Sequence, residues 1–213
     1  PKFYQWINLR FMLTLYHYQL CPSSRFIRLL LDEYKIEHIT QLENYWKPQE
    51  EFLLINPAGH LPVLIDNSNF PIIGFNACVE YISDMDLKPN IFPDDYRKKA
   101  EIYRLYHWFD TLFKKEVLDP IIYEKVFSRV IENLTPNSLN LRNGMENLGF
   151  HIKYLEYLLR NKDFLVADTI TSCDFFAAAN LSVLDYLGLL NLDDYPKLQV
   201  WYFKLKSRPS FRN

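Results

Sequence analysis

The residue best placed to do chemistry is a cysteine. Cys21 precedes Pro22, Ser23 and Ser24, and proline suits the first position of a helix, so the thiol falls at a helix start. There it faces unpaired amides and the positive end of the helix dipole, which favours thiolate and makes Cys21 a candidate nucleophile. The same position also suits a small, half-buried residue that ends a strand, and Ser24 stands where a resolving cysteine would be. Ser23, Tyr16 and Tyr18 are fallback hydroxyls. His60 is a candidate for titration, whereas His107 and His151 read as core or rim residues. No set of metal ligands is assigned.

The elements that must position these groups follow from patterning. Leu13 to Tyr18 reads as a buried strand ended by Cys21-Pro22, and Phe26, Ile27, Leu29, Leu30 and Leu31 give the next helix a wide apolar face through about Tyr34. Glu37 to Leu42 reads as a second strand, and one intervening helix implies a right-handed parallel crossover. The stretch from Phe52 through Ile65, Asn67 to Asn69 and Phe70 to Ile73 reads as a loop feeding an antiparallel hairpin, with a closing helix over Ala77 to Met85. Beyond Lys88-Pro89 and Phe92-Pro93, apolar residues recur at helical spacing. The spacing predicts helices over 94–116, 121–133, 139–160, 173–187 and 196–207, punctuated by Pro120, Pro136 and Pro196. The expected organisation is an extension over 1–11, a first domain over 12–87, a linker over 88–93 and a helical domain over 94–213.

Composition narrows the function classes. The 24 basic and 26 acidic residues create no positive field for nucleic acid, so none is expected as a partner. Three widely spaced cysteines, Cys21, Cys78 and Cys173, fit a reducing compartment and predict no disulfide. No apolar run reaches the roughly 20 residues of a membrane helix, and Pro1 to Phe11 lack the pattern of a signal peptide. A cytoplasmic protein without membrane insertion is expected.

Asn56-Pro-Ala-Gly-His-Leu-Pro-Val-Leu64 resembles the loop before the third strand of glutathione transferases, and Thr171-Ser-Cys-Asp174 resembles the capping box that opens the central helix of their second domain. The resemblance implies an α/β plus all-α fold: a thioredoxin-like βαβ-ββα domain followed by the transferase helical domain. It implies a cis bond at Pro62 and a Leu61 backbone that pairs with the cysteinyl unit of glutathione. Cys21-Pro22 is similar to the start of omega-class transferases and glutaredoxins, which form mixed disulfides with glutathione. The family usually carries Glu-Ser or Gln-Ser before the last helix of the first domain, to hold the γ-glutamyl end. Those positions fall here on Gly74 and Phe75, with Asn76 the nearest polar substitute or a helix cap. Losing two hydrogen bonds to a charged group costs about 1.5–3 kcal/mol each, enough for roughly a hundredfold in affinity.

Further segments resemble a narrower group, the alphaproteobacterial cell-division proteins that have the transferase fold and bind the FtsZ filament. These are Trp108-Phe-Asp110, Phe113, Glu116-Val117, Glu124-Lys125, His151, Tyr154-Leu155, Ser182-Val-Leu-Asp-Tyr186 and Lys206-Ser-Arg-Pro-Ser-Phe211, with Trp46. That resemblance implies a homodimer that binds FtsZ and requires no cofactor. Trp108, Phe109 and Phe113 at helical spacing also read as core. Glu116, Glu124 and Lys125 flank Pro120, are expected to be exposed where the two domains of the fold meet, and are the candidate partner-binding residues. The alternative is an active transferase or omega-like thiol transferase using Cys21 and glutathione.

Overall fold

Strand β1 (Leu13–His17) buries Leu13, Leu15 and His17 and leaves Thr14 and Tyr16 part-exposed, the period-two signature of a strand with two unequal faces. The computed structural model describes residues 12–85 and 87–212; the expected extension over 1–11 lies outside them. It divides into two units, one ending at Pro89 and the next beginning at Asn90.

In the first unit, helix α1 (Pro22–Glu33) buries Phe26, Ile27, Leu29, Leu30 and Leu31. Strand β2 (His38–Leu42) pairs parallel with β1. Strand β3 (Val63–Ile65) runs antiparallel to β1, and β4 (Pro71–Ile73) antiparallel to β3, giving the order β2-β1-β3-β4. Asp66 Oδ1 accepts the Ser68 and Phe70 amides at 2.8 Å to close the hairpin turn. Helix α3 (Phe75–Ser83) adds Phe75, Cys78, Val79 and Ile82 to the core. Two readings of this unit change. The residues expected as a loop from Phe52 include a short helix, α2 (Glu50–Ile55), whose first turn carries Glu50 and Glu51. Carboxylates suit that end of a helix, but six residues with Phe52 alone buried are too few to display a helical period. Helix α3 also begins at Phe75 and not at Ala77.

In the second unit the predicted break at Pro120 is absent. The chain is helical throughout Tyr96 to Ile131: α4 (Tyr96–Trp108), a π-helical run over Phe109–Leu118, α5 (Asp119–Ile122) and a second π-helical run over Tyr123–Ile131. The Asp119 amide reaches back five residues to Lys114 O. The turn is thereby widened just where proline, at the start of α5, lacks a donor and needs room for its ring. Helices α6 (Ser138–Leu159), α7 (Ser172–Tyr186) and α8 (Pro196–Lys206) follow, then a 3-10 turn at Pro209–Phe211.

Helix α7 is buried on every side from Ser172 to Leu184, so it forms the core of this unit. Asp174 holds its start in place. Its carboxylate accepts the Thr171 amide at 2.8 Å, the Thr171 hydroxyl, the Leu165 amide and Trp201 Nε1, each at 2.9 Å. Burial pushes this carboxyl above the usual range and the hydrogen bonds pull it back. Among the described residues no helix is long and apolar enough to cross a membrane.

Candidate functional site

Strand register gathers the first unit's candidates at one end of the sheet. His17 pairs with Leu42, Tyr16 with Val63, and Val63 with Ile73. The segments Tyr18–Cys21, Glu43–Trp46, Leu61–Pro62 and Gly74–Asn76 therefore all leave the sheet at that end.

Cys21 is half-buried at the N-cap of α1; its amide donates to Tyr18 O and its carbonyl accepts from Arg25 N, both at 3.0 Å. The first turn of α1 carries no acidic side chain to oppose the dipole. Burial pushes the Cys78 thiol up to about 12 and the Cys173 thiol well above its ordinary value, so neither competes with Cys21 as a nucleophile. The fallback hydroxyl of Ser23 is buried, as is Ser24. Tyr16 belongs elsewhere: its ring packs 5.3 Å from Phe52, and it lines a 520 Å³ groove with Leu54, Ile55 and Pro71. Tyr18 does lie at the candidate end, 5.6 Å from the Tyr45 ring and 4.7 Å from Trp46, with all three rings edge-on. The reading of the sequence missed Tyr45 and the buried Glu43, whose carboxylate accepts the Gln49 amide at 3.0 Å. The adjacent Tyr45-Trp46 pair just after β2 was the available signal.

The Leu61–Pro62 bond is cis. Asn56 organises the loop before it, accepting the Ala58 amide at 3.2 Å and donating to His60 O at 2.8 Å, while Gly59 takes φ +68°. Gly74 donates to Pro62 O at 2.9 Å. The Leu61 amide and carbonyl form no hydrogen bond among the described residues, so both remain available to a ligand backbone. Gly74 is the N-cap of α3 at φ +92°, a conformation that favours glycine. Phe75 is buried with its ring 5.8 Å from Phe26. Asn76 is exposed and lies inside the helix, so the capping role considered for it falls to Gly74. His60 is exposed.

The candidate partner residues of the second unit separate. Glu124 is only 3% exposed, which overturns its expected exposure. Its Oε2 accepts the Asn137 amide at 2.6 Å and its Oε1 the Asn140 amide side chain at 3.0 Å, so the carboxylate is spent on the first turn of α6. Glu116 is part-exposed; its Oε2 lies 2.9 Å from His151 Nε2, and its carbonyl accepts Asn147 Nδ2 at 3.2 Å. Lys125 is part-exposed. The buried His151 ring also meets Trp108 at 4.9 Å and Phe113 at 5.2 Å, and Trp108 meets Tyr154 at 5.0 Å. Phe109 and Phe113 are fully buried, in keeping with their reading as core, and His107 is exposed. Among the described residues no three His, Cys, Asp or Glu side chains converge as metal ligands.

Two family models match the chain: the glutathione S-transferase N-terminal domain over residues 20–85 and the glutathione S-transferase C-terminal domain over residues 140–213. FtsZ-localized protein A of Caulobacter vibrioides is 38% identical over 202 residues, spanning 93% of this chain and 89% of that protein. The chain belongs to the glutathione S-transferase family. Two solved structures agree across nearly the whole fold. A glutathione S-transferase from Rhodospirillum rubrum is 36% identical with a TM-score of 0.89, and FzlA from C. crescentus is 37% identical with a TM-score of 0.90. Each alignment covers 94% of this chain and 90% of the other. The fold is therefore the transferase one, a thioredoxin-like unit followed by a helical unit. Glutathione fits this member of the family unevenly. The Leu61 backbone suits its cysteinyl unit, whereas Gly74 has no side chain and Phe75 a ring turned into the core where the resemblance assigns the γ-glutamyl clamp.

Proposed function

We propose that this transferase-fold chain is a non-catalytic, cytoplasmic homodimer that associates with FtsZ filaments and supports cell division. The observation that carries the reading is the 38% identity to FtsZ-localized protein A over nearly the whole of both chains. The Gly74–Phe75 pair supports it, because those two residues supply neither the acid nor the hydroxyl that would anchor glutathione. No cofactor is required. Co-sedimentation with polymerised FtsZ of the same organism tests the association, with the protein expected in the pellet well above a control without filaments. Equal recovery in both would end the reading.

One observation favours a second reading. Cys21 sits at a helix N-terminus at the same end of the sheet as the cis-proline loop, whose Leu61 amide and carbonyl form no hydrogen bond among the described residues, an arrangement suited to glutathione-dependent thiol transfer through Cys21. Under this reading Leu61, Pro62, Phe75 and Asn76 line the glutathione site, and Cys21→Ala abolishes transfer while leaving the melting temperature unchanged. Retention of the protein on immobilised glutathione favours this second reading over the first.

A further inference from the structure

Helix α6 and its C-cap residue carry an outward stripe at helical spacing, Phe150, Lys153, Tyr157 and the capping Arg160, all exposed. Phe150 is 68% and Tyr157 58% exposed, a large apolar outlay for one helix face. Lys153 Nζ lies 6.0 Å from the Phe150 ring centre and Arg160 Cζ 4.8 Å from that of Tyr157, so each ring holds its neighbour's cation in place. The charges of α6 do not balance on this face. Arg142 is matched by Glu146 at 3.6 Å, and Glu156 is engaged by the Lys197 and Leu198 amides at the start of α8. Among the described residues, Lys153 and Arg160 have no carboxylate within ion-pair distance.

The platform beneath the stripe is braced on its other side. Glu124 holds the first turn of α6, Gly144 lies against Ile121 and Pro120, and Asn147 and His151 engage Glu116. A stripe on so fixed a helix loses little entropy on binding.

We propose that this face of α6 docks an acidic segment of a protein partner that also carries aromatic or large apolar side chains, its carboxylates meeting Lys153 and Arg160 and its apolar groups covering Phe150 and Tyr157. A second copy of this chain is the poorer occupant, because a two-fold contact centred on the stripe brings like charges together. The proposal rests on the FtsZ-associated reading and names the partner chemistry for it: the segment belongs to the filament subunit.

The test is co-sedimentation of the full chain with polymerised FtsZ at stepped salt concentrations, comparing wild type with Lys153→Glu/Arg160→Glu and with Lys153→Arg. Both altered side chains are exposed, and an unchanged melting curve checks the fold. The expected result is pelleting of the wild type that weakens as salt rises, at least a tenfold weaker apparent affinity for the double reversal, and retention by Lys153→Arg. If wild type and double reversal pellet alike, the α6 proposal is overturned and the filament reading stands. If the wild type does not pellet, both fall. A change of oligomeric state in the double reversal would assign the stripe to self-association and likewise overturn the proposal.

Discussion

Glu124 illustrates what a side chain's surroundings add to its type. In the sequence it is one of a charged pair after a proline; in the structure it is a buried acceptor for the first turn of α6. Glu124→Ala is expected to cost about 3 kcal/mol, since charge-assisted hydrogen bonds contribute about 1.5–3 kcal/mol each and two are lost. Urea unfolding measures it, and an unchanged midpoint would refute the capping role. His17 makes a second prediction at this scale. Burial first, then Arg28, Arg25 and His38, hold its imidazole below the ordinary value of 6.5. The folded state therefore takes up a proton less readily than the unfolded one. The stability present above pH 6.5 should fall as pH drops below it, until the depressed folded value is reached. Unfolding midpoints at pH 7.5 and 5.5 should differ more for the wild type than for His17→Gln. Cys21 was legible at this scale because proline and two serines mark a helix start whatever surrounds them, whereas the burial of Glu124 depends on residues thirteen and sixteen positions away.

Helix α6 offers a matched pair of glycines. A Cβ on Gly144 would lie 3.0 Å from Ile121 Cγ1 and 3.4 Å from Pro120 Cγ, both held in a packed contact, whereas a Cβ on Gly149 meets nothing within 4 Å. Alanine gains up to about 1 kcal/mol of helix propensity over glycine. Gly149→Ala is expected to raise the unfolding midpoint and Gly144→Ala to lower it, because overpacking costs about 1–3 kcal/mol. If both substitutions stabilise, α6 does not approach Pro120 so closely. The same contact shows why the helix break was misread. Proline ends a regular α-helix by clash and a lost donor, a local rule that the sequence states plainly. The π-helical turns over Phe109–Leu118 evade that rule by widening the backbone; Glu116 within that stretch accepts Asn147 of α6, and Pro120 and Ile121 just beyond it lie against Gly144 of α6. Helix α2 escaped notice for the opposite reason, being too short to repeat any pattern.

Glutathione tests the function at the scale of the whole molecule. A ligand at a hundred times its dissociation constant adds about 2.7 kcal/mol of stability, enough to move the melting temperature by several degrees. With the γ-glutamyl anchors absent at Gly74 and Phe75, millimolar glutathione is expected to leave the melting temperature of this chain within error, as read by differential scanning calorimetry. A clear rise would restore the thiol-transferase reading. The sequence by itself determined the βαβ unit, the hairpin and the entries to α1 and α7, because turn residues, capping boxes and period-two or helical spacing act within a few residues along the chain, while the cis bond at Pro62 was implied by the resemblance of its loop to the transferase family. Only the tertiary structure decided that Glu124 braces α6, that Asp174 gathers Trp201 and Leu165, that Tyr45 and Trp46 close on Tyr18, and that α6 leaves two cations without carboxylate partners among the described residues. Those outcomes turn on which distant groups share a buried space, and desolvation, which sets their energies, leaves no mark on local spacing.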